Sequence, residues 1–289
     1  MASRGKRVKT FSTKPEDVAG NYRPCPVCKG EEPLFQYSLG ASRFCRCSFC
    51  GHLYQYPVPE AKDLHDRYGE EYLKYELENE EAFLQLMKLT LQDFDFFRIA
   101  KQRNISRGRF LDVGCATGGL LYWLKGMGWT VQGVEVCKPA AEYARKERGL
   151  TIHTTPLEKT GLPSNRVDVV HASHLIEHLE KPREFLDEVH RVLLPGGVLL
   201  LTTPNEAGLQ ARLYGSGWRS VIEDHIHLFK AGNLARLIEE SGFRIMKKVT
   251  WGGIPKGMAP FFIKRAADYL AKHLGFGDVI AFLAEKRGA

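Results

Sequence analysis

Phe110-Leu111-Asp112-Val113-Gly114-Cys115-Ala116-Thr117-Gly118-Gly119 decides how the rest of the chain is read. Phe110 to Val113 has the makings of a short buried strand, and the glycines turn it tightly into a helix carrying Leu120, Leu121 and Leu124. A strand, a glycine-rich turn and a helix N-terminus form a nucleotide-type corner of a doubly wound α/β sheet. A dinucleotide site needs glycine at the second fingerprint position, where the backbone approaches a pyrophosphate. Here that position is Ala116. Asp112 also places a carboxylate at the strand end, where it would repel phosphate oxygens. The corner suits a ligand with an amino-acid end and no phosphate.

Glu135 lies 23 residues past Asp112 and closes the next apolar segment, Thr130 to Val134. An acid there suits a bidentate grip on ribose hydroxyls. S-adenosylmethionine (SAM) meets both conditions, its ammonium and sulfonium attracted to Asp112. The bland alternative, a glycine-rich turn with no ligand, requires strand, spacing and both acids to coincide. Asp112-x-Gly114-x-Ala116-x-Gly118 together with Glu135 resembles motifs I and II of the class I SAM-dependent methyltransferases.

Strands are expected at about 110–113, 130–135, 151–154, 167–172 and 197–203, with helices near 118–127, 138–148 and 182–193. That alternation implies parallel strands with right-handed crossovers. A helix at Leu234–Ile238, a strand at Phe243–Met246 and a last strand within Asp278–Lys286 follow. The resemblance covers roughly residues 109–289, minus insertions at about 206–228 and 252–275. It implies a Rossmann-like, doubly wound, seven-stranded sheet whose last strand is antiparallel. It also implies SAM contacts at Asp112, Gly114, Ala116, Gly118, Glu135, Val136 and Ser173, with Leu157 packing on the adenine.

Composition sets the bounds. At 289 residues, one large domain and a small one are expected. The net charge of +7 is local, because Arg4, Lys6, Arg7, Lys9 and Lys14 face no acid before residue 15. The remaining 36 basic residues nearly balance 34 acidic ones, which argues against a large nucleic-acid footprint. Residues 1–20 read as a disordered basic tail. They lack the apolar core of a secretory signal, although an acid-poor start also fits an organelle transit peptide. No apolar run approaches the roughly 18 residues of a membrane span. The cytoplasm is the expected compartment.

Cys25-x-x-Cys28 and Cys47-x-x-Cys50, with 18 residues between them, are spaced as two zinc knuckles. A closed Cys₄ shell leaves no room for water, so the metal would be structural. A redox pair, an iron–sulfur cluster or an empty site are the alternatives, and Cys45 is a spare that competes with Cys47. Residues 21–60 resemble a zinc ribbon. Pro57 and Pro59 mark a linker, and residues 61–108 read as a helical arm. In that arm Phe83, Leu84, Met87, Leu91 and Phe94 share a helical face. Core packing is the plain reading; covering the SAM site, with Tyr68 and Tyr72 near the cofactor, is what the resemblance implies.

His174, Glu177 and His178 share one helical face by their spacing. His225 and His227 share one side of an extended segment. His178, His174 and His225 are the candidate catalytic residues, as general base, as metal ligands or as structural groups. The Glu177-His178 segment is similar to that of the ubiquinone-biosynthesis O-methyltransferases. Ile176-Glu177-His178, Thr203-Pro204-Asn205-Glu206 and His225 to Phe229 also resemble parts of the small-RNA 2′-O-methyltransferases. Those bind metal through two glutamates and two histidines; here His174 replaces the first glutamate. Trp218, preceded by Gly215 and Gly217, reads either as a lid aromatic stacking on the acceptor or as core. Residues 257–276 read as a second helical cap, held by Ile263, Leu270 and Leu274.

The resulting expectation is a SAM-dependent methyltransferase acting on a small or carrier-linked acceptor, with oxygen first and carbon or nitrogen open. An RNA methyltransferase using the ribbon is the second reading. The ribbon's charge is thin, with Arg23, Lys29, Arg43 and Arg46 against Glu31, Glu32 and Glu60. The third reading is a SAM-binding scaffold without catalysis, prompted by Ala116.

Overall fold

The computed structural model describes residues 24–40, 42–56, 69–253 and 260–288. The basic tail, the Pro57–Pro59 linker and Tyr68 lie outside those residues. The described chain begins with three short strands, β1 (Pro33–Leu39), β2 (Ser42–Cys47) and β3 (Leu53–Gln55), in an antiparallel meander. Two helices follow, α1 (Glu70–Asp93) and α2 (Phe96–Gln102). The arm is therefore broken, at Asp95, whose φ of 52° is left-handed and ends the helical run.

From there strands and helices alternate as expected: β4 (Arg109–Val113), α3 (Gly119–Gly126), β5 (Thr130–Val134), α4 (Lys138–Arg148) and β6 (Ile152–His153). Next come β7 (Val167–Ser173), α5 (Pro182–Val192), β8 (Leu193–Pro204) and α6 (Leu209–Tyr214). The two-residue β9 (His227–Leu228) precedes α7 (Ala231–Glu240), β10 (Phe243–Trp251), α8 (Phe261–Leu274) and β11 (Val279–Lys286). The large sheet has the order β10-β11-β8-β7-β4-β5-β6. Only β11 runs against its neighbours, pairing antiparallel with both β8 and β10. This is the Rossmann-like seven-stranded arrangement.

Its central strands are apolar on both faces because helices cover both. Along β8, Leu199 and Leu201 belong to one core with Leu111, Val170, Phe185 and Phe282. Val198 and Leu200 belong to the other, with Phe110, Val169, Leu121 and Phe94. The period of two places alternate side chains in the two layers.

The small sheet holds a surprise. Its order is β1-β2-β3-β9, so the cysteine-bearing meander takes its fourth strand from the insertion after β8. Trp218 of that insertion is 1% exposed and packs with Phe44, Leu53, Val221 and Leu228, which is the core alternative and not a lid. Its indole Nε1–H donates to the buried Asp278 carboxylate at 2.5 Å.

The second cap also departs from expectation. Ile263, Leu270 and Leu274 are 44%, 53% and 60% exposed, so they do not hold α8. The helix is fixed by its opposite face: Ala271 is buried, its carbonyl accepts from Thr250 Oγ1 at 2.8 Å, and Lys272 pairs with Asp93 at 2.7 Å. Lys264 is likewise engaged, bonding Asp268 at 2.6 Å.

Candidate functional site

The glycine turn lies at the carboxyl end of β4, where a doubly wound sheet opens its crevice. Gly114, Ala116 and Gly118 all have left-handed backbones, with φ of 75°, 47° and 77°. For Ala116 that conformation costs on the order of 1–2 kcal/mol. A bond offsets part of it: the Ala116 N–H donates to Glu135 Oε2 at 2.9 Å, while Cys137 N–H donates to Oε1 at 2.8 Å. Glu135 is 4% exposed, and burial pushes its pKa up against the pull of those two N–H groups. Asp112 is 2% exposed, and its Oδ1 sits 2.6 Å from Nδ1 of His171, its register partner on β7. Val136 and Ser173 are half-buried at the ends of their segments, and Leu157 is 2% exposed within the first core.

Helix α1 closes over this corner. Thr117 Oγ1 donates to Glu80 at 2.5 Å, and Arg148 grips both Glu80 oxygens at 2.6 Å. One turn earlier, Glu76 faces Glu135; burial first, and then the neighbouring Glu135 and Glu80, raise its pKa to about 7. Neither Glu76 nor Glu80 was singled out by the sequence, since acids on a long helix read as a solvated face.

The loop after β7 carries the second group. Leu175 rests on the glycine turn, 3.3 Å from where a side chain at Gly114 would begin. His174 is left-handed, with φ of 52°, and residues 176–178 form a single 3₁₀ turn. The expected helical face is thus a strained corner, yet it delivers the same convergence. Glu177 is fully buried and accepts from Thr203 Oγ1 at 2.8 Å, with His174 Nδ1 3.2 Å away. Burial alone would raise its carboxyl; the hydrogen bond from His174 and the adjacent imidazoles outweigh it and bring it down to about 2.

His178 and His225 meet edge to face, ring centroids 4.7 Å apart. His178 Nδ1 lies 2.9 Å from the Asp224 carbonyl, and His225 Nδ1 lies 2.7 Å from the Ser220 carbonyl. A carbonyl can only accept, so each Nδ1 carries a proton, and in the neutral tautomer the lone pair lies on Nε2. Ligand atoms of Glu177, His178 and His225 lie within 4.8 Å of one another. His227 is excluded from this trio: its Nδ1 faces His52 Nε2 at 3.2 Å, and both buried rings pack against Phe229.

The comparisons with known proteins bear on this crevice. Residues 82–248, more than half the chain, match the family model described as a methyltransferase domain. The chain belongs to that family. The methyltransferase is 34% identical over 140 residues to the mitochondrial ubiquinone biosynthesis O-methyltransferase of Schizosaccharomyces pombe, covering 45% of this chain and 50% of the relative. It is 35% identical over 104 residues to the ubiquinone biosynthesis O-methyltransferase of a Caulobacter species, covering 34% of this chain and 41% of the relative. The chain thus spans half or less of the length of these curated relatives. Among solved structures, a SAM-dependent methyltransferase from Thermotoga maritima shares the fold, with a TM-score of 0.54 at 21% identity over 75% of this chain and 98% of that one. No helix among the described residues is long and apolar enough to cross a membrane.

Away from the crevice, the methyltransferase gathers Cys25, Cys28, Cys47 and Cys50. Cys25 and Cys50 sulfurs are 3.6 Å apart, Cys28 and Cys47 sulfurs 3.5 Å. A tetrahedral zinc with Zn–S of about 2.3 Å spaces its sulfurs by roughly 3.8 Å, so the four fit. Burial raises the Cys25 and Cys50 thiols, Cys50 to about 11, and a divalent cation among them reverses that cost. Cys45 stands apart, opposite Phe35 and Tyr54 in the meander.

Proposed function

We propose that this methyltransferase transfers the SAM methyl to a hydroxyl oxygen of a small or carrier-linked acceptor, with SAM gripped by Glu135 and the Gly114–Gly118 turn. The supporting observation is the convergence of Glu177, His178 and His225 in the loop that rests on that turn through Leu175, with each imidazole Nδ1 engaged by a backbone carbonyl. Methyl transfer from a sulfonium is an in-line displacement with a neutral leaving group. Much of its barrier is therefore met by holding the acceptor in line, worth up to about 7–11 kcal/mol in favourable cases. A hydroxyl must also lose its proton, and an Nε2 with a free lone pair is placed to receive it. The oxygen chemistry of the ubiquinone biosynthesis relatives supports the same acceptor atom.

One observation favours a metal-assisted form of this reading. Burial lowers His225 to about 4, which makes it a weak base for a hydroxyl but leaves it neutral, as a metal ligand must be. Glu177, His178 and His225 would hold a divalent cation, which supplies charge that makes the acceptor hydroxyl more acidic. Zinc at the four cysteines is proposed as structural. An RNA acceptor finds less support, because Arg46, the ribbon's inward cation, is spent on Glu206 at 2.8 Å and on the Gly51 carbonyl at 2.8 Å.

The test is methyl-labelled SAM incubated with soluble phenols and catechols and with a fractionated cell extract that includes RNA. Base-stable methyl ethers, lost in His178→Ala and His225→Ala while SAM still binds, support the proposal. Label confined to RNA or to nitrogen, or no label in any fraction, defeats it. Loss of turnover on chelation, with zinc still counted at the cysteines, supports the metal-assisted form; turnover indifferent to chelators removes it.

A further inference from the structure

We infer that Gln55, a residue of the cysteine meander, is a positioning residue for methyl transfer: it sets both imidazoles of the catalytic cluster from the far side of the 222–226 turn. This rests on the proposed role of His178 and His225.

Gln55 ends β3 and is fully buried. Its side-chain Nε2 lies 2.8 Å from the Glu223 carbonyl and 3.0 Å from the His225 carbonyl, with the Ile222 carbonyl behind at 3.4 Å. Its backbone N–H donates to the Ile226 carbonyl at 2.8 Å. An amide nitrogen has two hydrogens, so Glu223 and His225 take them, and the ring of carbonyls fixes which end of the amide faces the turn. Four of the five carbonyls from 222 to 226 thus face one ribbon residue. The fifth, Asp224, faces the other way and accepts from His178 Nδ1 at 2.9 Å.

The turn therefore works as a two-sided plate. On one side Gln55 holds it. On the other, Asp224 orients the His178 ring, while His225 is carried by the turn itself and oriented by Ser220. Both imidazoles that cluster with Glu177 therefore depend on where the plate sits. The Gln55 Oε1 is buried with no partner among the described residues. An unsatisfied buried acceptor is costly, so packing alone would be better served by an apolar residue here. The donors are what the position uses.

The test compares the full chain with Gln55→Met, which keeps the length and removes both donors. Histidines are labelled with ¹³C in the ring and assigned by replacing each in turn. His178 and His225 ring resonances are expected to shift or broaden, while those of His171, bonded to Asp112 under the glycine turn, stay in place. SAM affinity by calorimetry is expected within twofold of the parent, with kcat on the acceptor found above falling about 100-fold at unchanged KM for SAM. Unmoved His178 and His225 resonances overturn the inference, as does an unchanged kcat. If no acceptor is ever found, the proposed function fails, yet the ring resonances still decide the role of Gln55. Should Gln55→Met not fold, Gln55→Asn keeps the donors one methylene short, and the same resonances must move while SAM binding holds.

Discussion

Asp112 and His171 lie opposite each other on β4 and β7, and their side chains meet at 2.6 Å with both residues almost fully buried. The carboxylate at the end of β4, proposed to face SAM, is thus held by a neighbour the glycine motif does not contain. Substituting His171→Phe keeps a ring of similar shape and removes the donor. A hydrogen bond to a charged group is worth about 1.5–3 kcal/mol, so urea unfolding should show a loss of that size. A change under about 0.5 kcal/mol would mean the pair contributes only packing.

Glu135 offers each oxygen to a backbone N–H, from Ala116 and Cys137. Glu135→Gln turns an amide donor toward one of those donors and weakens any grip on ribose hydroxyls. SAM affinity should drop at least about 10-fold, the equivalent of roughly 1.4 kcal/mol. Calorimetry that finds parental affinity would remove Glu135 from the cofactor site. By contrast, Ala116→Gly relieves a left-handed alanine and should stabilise the fold by up to about 1 kcal/mol.

How much of this was legible beforehand follows from the range of the contacts. The β4 corner, its turn and Glu135 are written within 27 residues, so strand, glycine spacing and acid can be read together. The bracing of the 222–226 turn by Gln55 joins positions some 170 residues apart, and no local pattern announces it. Periodicity also says which residues share a face, not which face is buried. That is why periodicity points to Ile263, Leu270 and Leu274 as the anchors of α8, whereas Ala271, Lys272 and Asp268 anchor it. The i, i+3 spacing of His174 and Glu177 misled in a gentler way, because a strained corner brings such residues together as well as a helix does.

Glu76 gives a pH signature. Its carboxyl is raised from an ordinary 4.5 to about 7 by burial and then by Glu135 and Glu80. Below about 4.5 it is protonated folded or unfolded and has no effect. Between 4.5 and 7 the unfolded chain ionises while the folded one resists, so the fold loses stability as pH rises, levelling off above 7. After allowance for solvent screening the loss is about 1–3 kcal/mol. The difference in unfolding free energy between parent and Glu76→Gln should grow across that window in favour of the variant. Parallel curves would show that Glu76 ionises normally.

The cysteine quartet makes the last prediction, because the meander it closes is too small to hold its shape by apolar burial alone. If one zinc is bound per chain, elemental analysis finds it in the parent and not in a Cys25→Ser, Cys28→Ser double variant. The consequence reaches past the meander. β3 pairs Leu53 with Leu228 and Tyr54 with His227, and Arg46 ties the same unit to Glu206. Hydrogen exchange should therefore accelerate at 53–55 and at 222–228 in the double variant, while β7 and β8, buried between two helical layers, keep their protection. Acceleration confined to residues 24–50 would show that β9 and its histidines stand without the metal. Uniform acceleration across β7 and β8 would mean that the quartet supports the whole fold and has no special hold on the insertion.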